Sequence, residues 1–387
     1  MTLTGSHWDN PPAHPFGLPG AYPMRIGIIG LPATGKTMLF NLLCVAGGTH
    51  VSQHGGNEPT VAAVRMPDPR LARLASLIFK PKKVTQATLE FADFVALTRG
   101  AGKGEGLGSQ FMSQMRQLDA LLHVLRDFED PSIAHVEGKV DPARDAVLVN
   151  TELLLADLDT VEKRIGRLEA DLKKIKKEEA IKELELLKRC RAWLADEKPL
   201  RELSLGTGEE KALRGFALLT AKPMLLLLNI GEANLGKPNP ALARLQRALG
   251  RKGIAVTQLC AKVEWEVAQL PPEDSEAFRK DLGLLAGGFS GVLRACMDLL
   301  GLITFYTGEG GEETRAWTIP AGSTALQAAG TIHSDLERGF IRAEVITFAE
   351  LEACGSLAVA KKKGLLRLEG KEYRVADGDV IAIRFNV

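Results

Sequence analysis

Arg25-Ile-Gly-Ile-Ile-Gly30-Leu-Pro-Ala33-Thr34-Gly35-Lys36-Thr37-Met38-Leu-Phe40 is the stretch whose reading decides the fold. An apolar strand runs into a GxxxxGKT pattern and then into a helix start with Leu39, Phe40, Leu42 and Leu43 on its apolar face. This is the layout of a phosphate-binding loop. Gly30 and Gly35 let main-chain N–H groups converge on an anion with no Cβ in the way, Lys36 brings a charge to the β- and γ-phosphates, and Thr37 offers a hydroxyl to Mg²⁺. The helix that follows turns its N-terminal dipole toward the same anion. The strand before the pattern and the apolar helix after it separate it from a glycine-rich turn with no ligand.

Working outward, Thr88 to Leu97 is a second strand, and its Asp93 stands where a phosphate-loop nucleotidase keeps a Mg²⁺ ligand; the bland alternative is a solvated strand end. Gly100 to Gly108 has five glycines in nine residues, too costly in entropy to pack, and is expected to be a flexible switch beside the phosphates. Ala120 to Leu125 is a buried strand carrying His123, a candidate for assisting catalysis, although a lone histidine in an apolar strand is more often part of the core. Lys222 to Asn229 is an apolar run of the kind buried on both faces of a parallel sheet. Asn229-Ile-Gly-Glu232 lies at its carboxyl end, where doubly wound sheets hold ligands. Val256 to Cys260 is the last such strand. Val45 to Asn57 is expected to be a loop, Thr60 to Arg65 a strand, and Met66 to Arg70 the approach to a short helix. The alternation predicts an α/β fold with a doubly wound, mostly parallel sheet.

From Asn150 the period changes. Leu154, Leu158, Val161, Ile165, Leu168, Leu172 and Ile175 recur at alternating steps of four and three, the seam of a coiled coil. The pattern breaks at Lys173–Glu179 and resumes through Leu184, Leu187 and Leu194, which predicts an antiparallel helical hairpin with a charged tip. Residues 151–201 hold 13 basic and 12 acidic side chains, so a solvated face is the default reading, and Lys173–Lys177 is a weak pointer to RNA. Past Thr304 short β segments and turns such as Ala376-Asp-Gly-Asp379 mark a separate small α+β domain.

At 387 residues the chain exceeds a typical domain of roughly 100–200 residues, so two or three domains are expected. Its 49 basic and 48 acidic residues leave a net charge of +1, which gives no global electrostatic case for nucleic acid or membrane. The five cysteines are scattered, without CxxC spacing, and favour neither a zinc site nor a disulfide framework; a reducing cytoplasm fits. No run of about 18 apolar residues predicts a membrane helix. The proline-rich first 23 residues lack the features of a signal peptide and read as a disordered tail, with Met24 a candidate start. The expected domains are a tail at 1–23, a nucleotide-binding domain at 24–150 and 205–303, a helical hairpin at 151–204, and a C-terminal domain at 304–387.

Met66-Pro-Asp-Pro-Arg-Leu71, Lys103-Gly-Glu-Gly-Leu-Gly108, Asn150-Thr-Glu-Leu153 with Ala156-Asp-Leu-Asp159, Arg315-Ala-Trp-Thr-Ile-Pro320, Gln327-Ala-Ala-Gly330, Ile332-His-Ser-Asp335, Gly339-Phe-Ile-Arg342 and Phe385-Asn-Val387 occur in this order. With them the chain resembles the YchF, or Obg-like ATPase, family of translation-factor-related phosphate-loop NTPases over essentially Met24 to Val387. The resemblance implies a G domain interrupted by a helical hairpin, a C-terminal β-grasp domain of the TGS type, and association with ribosomes. It also implies ATP, with Mg²⁺, in preference to GTP. The family carries NxxE where guanine readers carry NKxD, and here that is Asn229-Ile230-Gly231-Glu232; Asn229, Ile230 and Glu232, with Ala33 to Met38, are then the nucleotide-binding set. The family's Asn-Val-Gly-Lys-Ser-Thr becomes Ala33-Thr34-Gly35-Lys36-Thr37-Met38. Its DxxG becomes Asp93-Phe-Val-Ala96, and its switch threonine aligns with Gly56; both changes weaken the expected sensing of the γ-phosphate.

The reading that follows is an ATP-hydrolysing switch protein of the translation apparatus, cytoplasmic and monomeric, with Lys36, Thr37, Asp93 and His123 as catalytic candidates and Thr37 and Asp93 as Mg²⁺ ligands. The alternative is a nucleotide-binding scaffold with weak or lost hydrolysis, whose TGS-like domain is the working surface. A small-molecule kinase is disfavoured because the insertion is a coiled-coil hairpin and not an acceptor lid. Residues 304–387 hold 10 basic and 12 acidic side chains, so contact with rRNA or ribosomal protein there cannot rest on bulk charge. His333 and Asp335 read as a structural turn.

Overall fold

A nucleotide site of this kind needs a sheet whose strands end together, and the apolar segments supply one. The computed structural model describes residues 24–48, 50–52, 59–94, 109–175, 177–249, 253–282, 288–309 and 312–386. The tail, Gly56, Ala96, Leu97 and the glycine-rich stretch 100–108 lie outside these residues. The strands are β1 (Arg25–Ile29), β2 (His50–Ser52), β3 (Thr60–Arg65), β4 (Lys83–Thr85), β5 (Thr88–Asp93), β6 (Ala120–Asp127), β7 (Met224–Ile230), β8 (Ile254–Leu259), β9 (Leu302–Glu309), β10 (Glu313–Pro320), β11 (Phe340–Thr347), β12 (Arg367–Glu369) and β13 (Asp379–Phe385).

One sheet has the order β2-β3-β5-β1-β6-β7-β8, with parallel pairing of β1 to β5 and β6, of β6 to β7 and of β7 to β8. Every residue of β7 is buried, as a central parallel strand covered on both faces requires. Ile29, Leu121, Leu125, Leu226 and Leu228 join Phe94, Phe111 and Met115 in its core. The stretch expected to be a loop at Val45 to Asn57 is partly regular: the first helix, Lys36–Gly47, ends on left-handed Gly48, and β2 then pairs antiparallel with β3. An edge strand of three residues carries too little periodicity to announce itself.

The chain forms two compact units, Met24–Val64 with Glu90–Leu299, and Arg65–Leu89 with Leu300–Val387. The expected bounds kept 65–89 in the nucleotide-binding domain, whereas its partners are C-terminal. β4 pairs parallel with β10 in a six-stranded sheet of order β12-β11-β13-β9-β10-β4. Asp68 caps the helix Pro69–Arg73, ion-pairs with Arg70 at 3.0 Å, and accepts from the Tyr306 hydroxyl at 2.5 Å, a residue 238 positions further on. Arg70 also reaches Asp377 at 2.6 Å. No local pattern can signal partners so distant in sequence. Within this unit β9 pairs antiparallel with β10 and parallel with β13, a β-grasp arrangement with the helix Ala325–Ile332 against the cluster of Phe305, Ala343 and Val345. His333 Nδ1 accepts from Asp335 N at 3.1 Å and so caps the short helix Ser334–Arg338, a turn role.

The insertion is the expected hairpin, of helices Pro142–Leu172 and Glu178–Ala195. Leu154, Val161, Ile165 and Leu168 pack against Leu186, Leu187, Cys190 and Leu194. The expected start and seam both need correction. The first helix begins at Pro142, capped by Asp141, because Ala146, Val149 and Leu153 pack on the sheet core and lie off the register of the coiled-coil seam. Ile175 lies beyond the helix end and is 65% exposed. At the root, the fully buried Asp157 carboxylate accepts from Leu219 N at 2.9 Å, Thr220 N at 2.7 Å, Thr220 Oγ1 at 2.8 Å and Arg116 Nη1 at 3.1 Å.

Removing one partner of such a cluster strands the rest without water. Asp157→Ala is expected to cost about 3–5 kcal/mol of unfolding free energy in urea titration, against less than about 0.5 kcal/mol for Lys174→Ala at the exposed tip. Equal midpoints for the two variants would refute the account.

Candidate nucleotide-binding site

The loop from Gly30 to Gly35 turns tightly at the carboxyl end of β1, with positive φ at Gly30 (144°), Ala33 (63°) and Gly35 (96°). Gly35 is required: a Cβ there would lie 2.2 Å from Asn229 Nδ2. That amide donates to Thr34 O at 3.0 Å, and Asn229 Oδ1 accepts from Ala261 N at 3.1 Å, so one side chain pins the loop to the ends of β7 and β8. Thr34 is buried and bonds Leu31 O through its hydroxyl at 3.1 Å. It shapes the loop from inside, and Ala33, Gly35, Lys36, Thr37 and Met38 line an open cleft of about 800 Å³.

Lys36 Nζ folds back to donate to Gly30 O at 2.9 Å and Leu31 O at 2.7 Å. Burial lowers its pKa to about 8, with the Asp93 carboxylate partly opposing the shift. A phosphate replaces two neutral carbonyls with full charge, the stronger class of partner. Asp93, at the end of β5, is 6% exposed and close enough to act on Lys36 electrostatically, while Thr37 is exposed at the cleft. A hydroxyl and a carboxylate are hard oxygen donors that fit Mg²⁺. Among the described residues no cluster of three His, Cys, Asp or Glu could hold a metal, so phosphate oxygens and water would complete the shell.

Asn229, Ile230 and Glu232 also line the cleft, Asn229 directly beside the phosphate loop. Glu232 Oε1 accepts from Lys262 Nζ at 2.6 Å, both side chains being about half exposed. The residues missed from sequence are Lys262 and the loop after β6, which gives Phe128, Asp130 and Ile133 to the wall. Their position past the carboxyl ends of β8 and β6 is the signal that could have found them.

His123 is not brought to the cleft. It pairs in register with Ile29 inside the sheet, is 1% exposed, and neither ring nitrogen has a hydrogen-bond partner among the described residues. Burial, with the Lys36 charge adding to it, pushes its pKa down to about 3. A neutral imidazole without access to solvent has no route to a reacting water.

A main-chain cradle with one lysine, at a helix N-terminus on the carboxyl edge of a parallel sheet, is built for the phosphates of a nucleotide. The fold and site together define a phosphate-loop NTPase-class protein. The family model YchF-GTPase_C, described as "Protein of unknown function (DUF933)", matches residues 302–386. The chain is 43% identical over 367 residues to the "Ribosome-binding ATPase YchF" of Bacillus subtilis (strain 168), covering 94% of this chain and 100% of that one. It is 43% identical over 364 residues to the protein of the same name from Escherichia coli O157:H7, covering 94% and 99%. The solved structure "Structure of the Schizosaccharomyces pombe YchF GTPase" superposes with a TM-score of 0.82 at 28% identity, covering 94% of this chain and 99% of that one. The chain belongs to the YchF family.

The buried His123 has a measurable consequence for stability. The folded state keeps it neutral down to about pH 3 while an unfolded imidazole protonates near 6.5, so unfolding takes up a proton between those limits. Its contribution is complete above pH 6.5 and is lost as pH falls toward 3. Between pH 7 and pH 5 the wild type should lose about 1–2 kcal/mol more than His123→Leu in denaturant titrations. Parallel losses would show that His123 is not buried neutral.

Proposed function

We propose that this protein is a Mg²⁺-dependent ATPase that binds ribosomes in the cytoplasm and hydrolyses ATP slowly. The observation that carries the ATP reading is the Glu232–Lys262 pair of 2.6 Å. In an NKxD loop the carboxylate accepts from guanine N1–H and the exocyclic amine. Here the corresponding carboxylate is occupied by an ammonium, and Ile230 stands where the base-covering lysine would be. The N1–H and exocyclic amine of guanine then meet no free acceptor there, a cost that adenine, which has neither donor at those positions, does not share. Lys36 binds the β- and γ-phosphates, Thr37 and Asp93 hold the cation, Ala33 to Met38 cradle the phosphates, and Asn229 with the Ile230 main chain and Glu232 borders the base.

The relatives named above are called ribosome-binding ATPases, and that name, carried over nearly the full length, supports the ribosome as partner. The β-grasp unit, read as a TGS domain, supplies the second surface. The fission-yeast relative is titled a GTPase, which makes the base preference the first measurement. ATP should compete for the site about tenfold or more better than GTP, the value of one base-edge hydrogen-bond set. Lys36→Ala should lose most of the affinity for both. Equal competition by GTP would overturn the ATP assignment.

The scaffold alternative draws support from sequence positions outside the described residues. Gly56 lacks the switch hydroxyl, Ala96 adds a Cβ where a main-chain donor meets the γ-phosphate, and Leu97 cannot orient water. Intrinsic turnover is therefore expected several orders of magnitude below a typical enzyme's roughly 10 s⁻¹. Gly56→Thr with Ala96→Gly should raise it. Phosphate release, measured with and without ribosomes, checks both; a fast wild type, or a double variant no faster, defeats the explanation.

A further inference from the structure

Arg126 is the largest side chain in the fully buried set, at 1% exposure, and it is the register partner of Asn229 across β6 and β7. A guanidinium removed from water is strongly disfavoured unless its N–H groups are satisfied. Among the described residues its hydrogen-bond partners are main-chain carbonyls of one short loop. Nε donates to Phe128 O at 3.1 Å, Nη1 and Nη2 each donate to Ile133 O at 3.0 Å, and Nη2 also reaches Asp130 O at 3.4 Å. The guanidinium lies over the Phe128 ring, 4.7 Å from its centroid. The loop is closed by its own turn, with Asp130 Oδ1 accepting from Ser132 N at 2.9 Å and from Ser132 Oγ at 2.6 Å.

The same loop forms one wall of the nucleotide cleft through Phe128, Asp130 and Ile133. Phe128 packs on the Asn229–Glu232 loop: a Cβ added at Gly231 would sit 3.3 Å from Phe128 Cβ. The wall thus abuts Gly231, within the segment read above as bordering the base. It is braced by a cation that is not itself among the residues lining the cleft.

We infer that Arg126 is a positioning residue for the nucleobase: it holds the Phe128–Ile133 loop in the form that receives the base, and so sets affinity for the nucleoside part of the ligand and not for the phosphates. The inference rests on the reading of the cleft as a nucleoside triphosphate site. Arginine is required because a planar fork reaches Phe128 O and Ile133 O together while stacking on the ring; a lysine ammonium keeps the charge and loses that geometry.

The test titrates wild type, Arg126→Lys and Phe128→Leu with ATP and with inorganic tripolyphosphate, both with Mg²⁺, by calorimetry. ATP affinity should fall about tenfold or more in both variants, as when a stacking surface for a base is removed, while tripolyphosphate affinity stays within about twofold. A purely structural role would weaken both ligands together, and that result overturns the inference. So does unchanged ATP affinity in both variants, or a wild type that binds tripolyphosphate as tightly as ATP. Should Arg126→Lys fail to fold, Phe128→Leu decides by the same criterion. A wild type that binds neither ligand overturns the nucleotide reading itself.

Discussion

The Asn229 side chain is the constraint on which the site depends. Buried at the end of β7, it donates to Thr34 O and accepts from Ala261 N, and the strand, the phosphate loop and the start of the helix Ala261–Val267 meet at this one amide. Either group left unpaired would cost about 1–3 kcal/mol. Because the amide passes so close, residue 35 must be glycine, and a glycine there can take the left-handed conformation that points N–H groups outward. Ala33 holds a positive φ as well, a conformation that costs an L-residue roughly 1–2 kcal/mol. Strain at the loop is therefore offset by a hydrogen bond from another strand.

That arrangement explains the electrostatics. Lys36 is partly desolvated and rests on two carbonyls, a holding position that a phosphate replaces with a stronger partner. His123 beneath it is held toward the neutral form by burial, so it adds nothing to the positive charge that Lys36 and the helix dipole supply there. Asp93 sits close enough to keep the lysine charged more readily than burial alone would allow, and it retains oxygen donors suited to a divalent cation.

Buried polar clusters recur wherever distant stretches of chain must be held in register. Asp157 fastens the hairpin root to Leu219 and Thr220, and Asp68 with Arg70, Tyr306 and Asp377 fastens the excursion between β3 and β5 within the C-terminal unit. Each cluster includes groups remote in sequence. A hydrophobic contact of similar area would hold the same segments together with far less directional demand.

Local pattern alone determined a good deal about this protein. The strand-loop-helix at Arg25–Phe40, the apolar run at β7 and the coiled-coil period announce themselves because each is a repeat or spacing complete within a few turns of chain. The phosphate loop and Asn229 were legible for that reason, and the roles proposed for Thr37 and Asp93 rest on their places at helix and strand ends. Only the tertiary structure decided that 65–89 belongs with the C-terminal unit, that the hairpin helix starts at Pro142, that His123 is sealed in the sheet, and that Arg126 sits behind the cleft wall. Those facts depend on desolvation and on pairings across long loops, and neither leaves a trace in the order of neighbouring residues.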